Sequence, residues 1–227
     1  MIGGLGPEST VEYYLAIIAL YRERVGDGSY PQFIVNSIDL RKGIDLITAN
    51  DLAGAAAYLV EEIQKLARAG AEFGLIAANT PHIVFDEVAS ASPIPLISIV
   101  ATAVEAVRER GWTRPALFGT KFTMHGSFYS DLFSRAGIEL VIPPSGAADY
   151  IHEKYMNELV LGRFLPGTRA GLLEIVDQMR ENSRIDAVIL AGTELPLILR
   201  ESAHNGIPFL DTMRVHAEAA VAQMLAG

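Results

Sequence analysis

Two stretches of this chain place a polar pair at the same kind of bend: "FGLIAANTPHIVFDEV" and "DAVILAGTELPLILRE". In each, an apolar run meets two small residues, then Asn79-Thr80 or Thr193-Glu194, then a proline-bearing helical pattern. At such a strand–turn–helix corner the first backbone N–H groups of the helix have no partner. Together with the helix dipole they attract a carboxylate or a phosphate. Thr80 and Thr193 sit where an N-cap belongs, so each hydroxyl either caps its helix or holds an anion. Pro81 suits the first helical position.

The opening "GGLGPEST" is a third corner. Its glycines allow close backbone approach, Pro7 starts a helix, and Ser9 and Thr10 offer hydroxyls. Gly3, Gly4 and Gly6 do not make the G-x-G-x-x-G fingerprint, and no G-x-x-x-x-G-K-[ST] follows, so nucleotide binding is disfavoured. "LFGTKFTMHGSFY" is a fourth corner, with Gly119, Thr120 and Thr123; Lys121 there reads as a solvated charge.

Among groups that move protons near neutral pH, His82 lies two residues into its helix and Glu194 beside Gly192. Histidine titrates in that range, and a desolvated glutamate is raised toward it. The plainer alternatives are a surface or hydrogen-bonded core histidine and an acid favouring the helix dipole. In "NSIDLRKG", Arg41 either clamps a substrate carboxylate bidentately or pairs with Asp39 at the surface. "IHEKY" carries His152, Glu153 and Lys154 as solvated charges, with Lys154 long enough to reach a site. Tyr13, Tyr14, Phe128 and Tyr129 fall at helical spacing and read as core.

The elements behind these corners alternate. Apolar strand-like runs fall near 33–37, 73–77, 95–99, 116–119, 139–142, 187–190 and 208–210. Helical patterns fit 7–25, 51–69, 81–89, 101–110, 124–136, 151–161, 168–182, 195–203 and 212–225. Continuous apolar strands separated by helices imply an α/β fold with a mainly parallel sheet and ligands at the carboxyl ends of the strands. Gly111 and Pro115 bracket the break between two β–α sets, and the last helix is expected to pack on the first set. The expected division is 1–98 plus 208–227, and 99–207. Only Met1 and Ile2 precede the first corner, so its strand is expected to be a stub or to begin outside the chain.

Composition narrows the chemistry. The chain has 227 residues, half of them apolar, and a net charge of 18 − 27 = −9, which argues against nucleic acid. No apolar run approaches the roughly 20 residues that span a bilayer, and the start lacks a signal-peptide pattern, so a cytoplasmic location is expected. Cysteine is absent, which removes thiolate nucleophiles, thiolate metal sites and thiol acid/base chemistry. Five scattered histidines show no metal-ligand spacing, so no metal is expected.

Taken in order, "GGLGPEST", "NTPH", "GTKFT" and "GTELP" resemble the cofactor-independent aspartate/glutamate racemase family over nearly the whole chain. The resemblance implies two pseudo-symmetric flavodoxin-like lobes with an interlobe cleft, a homodimer, and a small acidic amino acid as substrate, with neither pyridoxal phosphate nor metal. It also implies two catalytic cysteines, one removing the α-proton and one returning it. In this chain those positions are Ala78 and Gly192. Neither has a proton to give or take, so thiol-based racemisation is excluded.

The expectation is an isomerase acting at the α-carbon of a small carboxylate, with His82 and Glu194 as the replacement acid and base. Ser9, Thr10, Arg41, Asn79, Thr80, Thr120 and Thr193 are the expected substrate contacts. Two readings stand beside it. One is a lyase, decarboxylase or other isomerase on a small di-acid, which needs carboxylate binding, enolate stabilisation and a single proton donor. The other is an inactive carboxylate-binding homologue.

Overall fold

The computed structural model describes residues 1–226. The chain divides into two compact units, one of Met1–Thr102 with the chain from Met213 on, the other of Ala103–Thr212. Both junctions fall a few residues after those expected, inside the helix Ile99–Glu109 and at the start of the helix Thr212–Ala226.

The first unit holds four short strands, β1 (Ile2–Gly3), β2 (Asn36–Ser37), β3 (Gly74–Leu75) and β4 (Leu96–Ile97). β1 pairs parallel with β2, and β3 with β4. A parallel bridge from Ile2 to Ile76, with the Ala77 N–H donating to the Ile2 carbonyl at 2.9 Å, joins the pairs in the order β2-β1-β3-β4. Gly4 turns the chain out of β1 at φ 80°. A β-carbon there would lie 2.6 Å from Ser37 Oγ and 2.7 Å from the Ile38 nitrogen, so only glycine fits this turn.

The second unit has β5 (Pro115–Gly119), β6 (Ala187–Ala191), β7 (Ala203–His204) and β8 (Ile207–Asp211), ordered β5-β6-β8-β7. β5, β6 and β8 are parallel, and β6 is buried at every residue, as a continuous AVILA run requires. The strand expected at 139–142 reduces to a bridge between Val141 and Ala116. The antiparallel edge β7 was not anticipated. It forms a hairpin with β8 over Asn205-Gly206, both at positive φ, the pairing that favours a tight two-residue turn. The helix expected over 195–203 accordingly stops at Ile198, because the chain must turn back into β7.

Pro7 opens the helix Pro7–Val25 and Gly26 closes it in the left-handed region at φ 70°. Three expected helices are interrupted. The pattern at 81–89 is a 3-10 turn, Thr80–Val84, followed by the helix Phe85–Ala91. That at 124–136 is Lys121–His125 and Ser127–Arg135, separated by an extended Gly126. That at 151–161 is Ser145–Asn157 with a 3-10 turn, Leu159–Leu161. The helix Leu40–Thr48 was missed, although Asp39 caps it by accepting from the Arg41 N–H at 2.9 Å.

In the first unit the final helix contributes Met213, Ala217, Ala220 and Val221 to a core with Met1, Tyr13, Ile17, Leu20 and Leu75. The core of the second is built on β5 and β6 (Phe118, Val188, Leu190), with Ile151 and Tyr155 from one helix and Leu172 and Val176 from another. Each fully buried aliphatic side chain contributes about 1.5–3 kcal/mol. Tyr13 and Tyr129 are fully buried as expected; Tyr14 is not core but 47 % exposed, tilted against Phe33.

Candidate active site

The corner of the second unit begins where β6 ends. Gly192, Thr193 and Glu194 follow directly and are all buried, Glu194 to 1 % exposure. A glutamate this deep needs polar partners. The Tyr155 hydroxyl donates to Glu194 Oε2 in a short hydrogen bond, and Thr193 Oγ1 donates to the same oxygen at 3.1 Å. Burial, then the neighbouring Glu194 charge, raise the Tyr155 pKa well above the usual phenol value, so the phenol keeps its proton.

Tyr155 is delivered by the helix Ser145–Asn157. Ala148, Ile151 and Tyr155 recur on one helical face and are all buried. The ring lies across Gly192: a β-carbon there would stand 2.9 Å from Tyr155 Cζ, 3.0 Å from Oη, and nearer still to Cε2. Gly192 does not have positive φ, so the glycine serves space, not backbone conformation. Gly192→Ala therefore forces the ring aside. We expect a loss of about 1–3 kcal/mol in urea unfolding, typical of overpacking, with changed tyrosine near-UV circular dichroism.

The corner of the first unit is different. Ala78 is 6 % exposed and carries only a methyl. His82 is 2 % exposed, and both of its ring nitrogens are engaged by backbone. Nδ1 lies 2.9 Å from the Ala78 carbonyl, which can only accept, so the proton is on Nδ1. Nε2 then accepts from the Ile99 N–H at 3.1 Å. Burial, then the nearby His216, lower the His82 pKa to about 3, and the ring stacks on Phe85. So placed, His82 offers a substrate neither a lone pair nor a proton, and the expected His82 acid/base role gives way to holding the corner against the helix Ile99–Glu109.

The hydroxyls are mostly inward-turned. Ser9 and Thr10 both donate to the Gly6 carbonyl at 2.9 Å, and Thr10 Oγ1 also accepts from the Gly4 N–H at 2.9 Å. Thr120 caps its helix through the Thr123 N–H. Thr193 points to Glu194 rather than capping, and Thr80 is the first residue of its 3-10 turn, with Asn79 in the cap position. Asn79 is buried and Thr80 partly exposed. Arg41 has its side chain 83 % exposed, and its single Nε–H is shared between the two carboxylate oxygens of Asp45, one helical turn along, rather than turned to Asp39. Lys154 pairs with Glu158 and Lys121 with Asp149, each at 2.7 Å.

Sequence reasoning stopped one residue short in "IHEKY", weighing His152, Glu153 and Lys154 but not Tyr155. The available signal was Gly192, a missing side chain at a buried bend that something else must fill. A cavity of about 730 Å3 in the first unit lies at the amino ends of the strands, lined by Tyr21, Tyr30, Phe33 and Met224, and includes none of the corner residues. Among the described residues no cluster of three His, Cys, Asp or Glu is arranged to hold a metal, and no helix is long and apolar enough to cross a membrane.

Comparison with known proteins places these corners in a family. The profile described as Asp/Glu/Hydantoin racemase matches residues 2–220. The broad specificity amino-acid racemase RacX of Bacillus subtilis is 22 % identical over 233 residues, covering 100 % of this chain and 97 % of its own. Among solved structures, a Yersinia pestis protein assigned as an Asp/Glu racemase superposes with a TM-score of 0.87 at 28 % identity, over 99 % of this chain and 97 % of that one. PH1733, an aspartate racemase homologue from Pyrococcus horikoshii, gives 0.81 at 30 % identity, over 100 % and 97 %.

Proposed function

The chain belongs to the Asp/Glu/hydantoin racemase family, and on that premise we propose that it moves the α-proton of a small, acidic amino acid or related carboxylate, without a cofactor, using Glu194 as its acid/base group. The observation that carries this reading is the buried Glu194 carboxylate at the carboxyl end of β6, oriented by two hydroxyl donors. An α-proton is weakly acidic, and a positioned base is what its removal requires. Asn79 and Thr80 at the corner of the first unit, and Thr120 and Thr193 at those of the second, are the polar side chains offered to substrate carboxylates.

With Glu194 as the acid/base group, one group both takes and returns the proton. A single group returns hydrogen to the face it came from. Exchange with solvent then outpaces inversion, and the same one-sided arrangement supports the second reading, a lyase or decarboxylase that protonates an enolate once. The test is incubation with L-aspartate, L-glutamate and a panel of small di-acids, followed by chiral chromatography and proton NMR. Slow appearance of the D-enantiomer supports the isomerase; new product peaks move the assignment to the lyase; an unchanged panel contradicts both.

Dimerisation belongs to the same proposal. Val11, Tyr14 and Leu15 on the helix Pro7–Val25 are each about half exposed, an apolar surface of the kind that a partner covers. Sedimentation at micromolar concentration is expected to give twice the mass of the 24.5 kDa chain, and a monomer contradicts it.

A further inference from the structure

Position 192 has no side chain, yet its space is not empty. The edge of Tyr155 occupies it, with Oη 3.0 Å from where a β-carbon would stand. That hydroxyl is bonded to Glu194 Oε2, which Thr193 holds from its other side. A buried glycine without positive φ, a tyrosine ring filling its place, and a buried carboxylate under the phenol form one unit of three residues. Placing alanine at 192 would break it; so would removing the ring. Elsewhere on the helix Ser145–Asn157, Lys154 pairs with Glu158, Asp149 with Lys121, and His152 Nδ1 accepts from the Lys121 N–H at 3.2 Å, while Tyr155 is the residue of this helix that reaches Glu194.

We propose that Tyr155 stands in for the thiol missing at position 192: its phenol meets the substrate's α-hydrogen, and Glu194 takes and gives the proton through it. This rests on the reading of the chain as an α-proton-transfer enzyme. The step balances without any further reactant. As the C–H bond breaks, its electron pair stays on the substrate as an enolate and its proton goes to Tyr155 Oη. The phenol's own proton passes at the same time to Glu194 Oε2. Reprotonation is the reverse, from Glu194 through Oη to carbon. The high pKa of the phenol fits a relay that never stores a phenolate. It also explains why the carboxylate can lie one hydrogen bond below the position a thiol would hold.

The test follows α-proton wash-out by NMR in D2O, with L-aspartate and L-glutamate as the probes, in the full chain and in Tyr155→Phe. The phenylalanine keeps the ring over Gly192 and removes only the hydroxyl. Exchange is expected to fall by about 100-fold or more, with far-UV circular dichroism and probe binding retained. Equal exchange in Tyr155→Phe overturns the proposal while leaving the functional reading intact; no exchange of either probe in the unaltered chain removes the functional reading itself. Should Tyr155→Phe unfold, 3,5-difluorotyrosine at position 155 keeps ring and hydroxyl and makes the phenol more acidic. The rate of exchange where the carboxylate is fully ionised is then expected to change by about 10-fold, because the proton passes through Oη, and an unchanged rate overturns the relay.

Discussion

Taking the protein from pH 7 to pH 5 is expected to cost about 4 kcal/mol of folding stability, from two histidines that take no part in the proposed chemistry. His82 and His216 are both buried and neutral. His216 donates from Nε2 to the Ile97 carbonyl at 2.9 Å and accepts at Nδ1 from the Tyr13 hydroxyl at 2.8 Å, pinning the final helix to the first unit. Burial lowers its pKa to about 4, and that of His82 to about 3. An unfolded histidine titrates near 6.5. Between about pH 6.5 and pH 4 the unfolded chain therefore binds more protons, so stability is complete above that window and falls as pH drops through it. Each histidine contributes about 1.4 kcal/mol per pH unit, or about 2 kcal/mol by pH 5.

Ordinary carboxylates titrate near pH 4, and the N-terminal amine of Met1, lowered by burial to about 6, adds about 1 kcal/mol in the same direction, so the histidines supply the larger part of the change from pH 7 to pH 5. Against a total stability of about 5–15 kcal/mol the loss is large. Urea unfolding at the two pH values reads it directly, and His216→Gln is expected to remove about 2 kcal/mol of the dependence. A stability flat between pH 7 and pH 5 would mean that neither ring is held neutral.

Glu194→Gln is expected to reduce α-proton exchange by about 100-fold or more, the scale set by loss of a general base. The substitution is nearly isosteric, and its amide oxygen still accepts from Tyr155 and Thr193, so the fold is expected to survive. Binding of L-aspartate, followed by calorimetry, is expected to change far less than exchange, because the substitution removes a charge but leaves the other polar side chains of the corners in place. A variant that exchanges as well as the original chain would remove Glu194 from the proton path. His82→Gln, by contrast, is expected to lower stability while sparing exchange in the fraction that remains folded.

Much of this was legible in order along the chain. The AVILA run of β6 and the Pro7-to-Gly26 helix follow from composition and punctuation alone, and the two small-residue bends mark the corners. What escaped depends on distance in sequence. Tyr155 and Gly192 meet only because a helix and a strand end pack together in the second unit, and no local pattern in "IHEKY" points to that partner. The Tyr13 and His216 pair, 203 residues apart, is equally invisible to periodicity. The pairing of Arg41 with Asp39 was misread for the opposite reason. The carboxylate partner of Arg41 lies one helical turn along, at Asp45, in a helix whose Asp39 cap went unread. His82 was correctly located at its corner, but only the Ala78 carbonyl and the Ile99 N–H show that its nitrogens are occupied.

The most direct measurement is the ratio of α-proton exchange to inversion in D2O, with L-aspartate and L-glutamate, by proton NMR and chiral chromatography on the same samples. A single acid/base group in the second unit predicts wash-out of the α-proton well ahead of any D-enantiomer. Bound probes that keep their α-proton indefinitely, or inversion that keeps pace with exchange, would contradict an enzyme working through Glu194 alone.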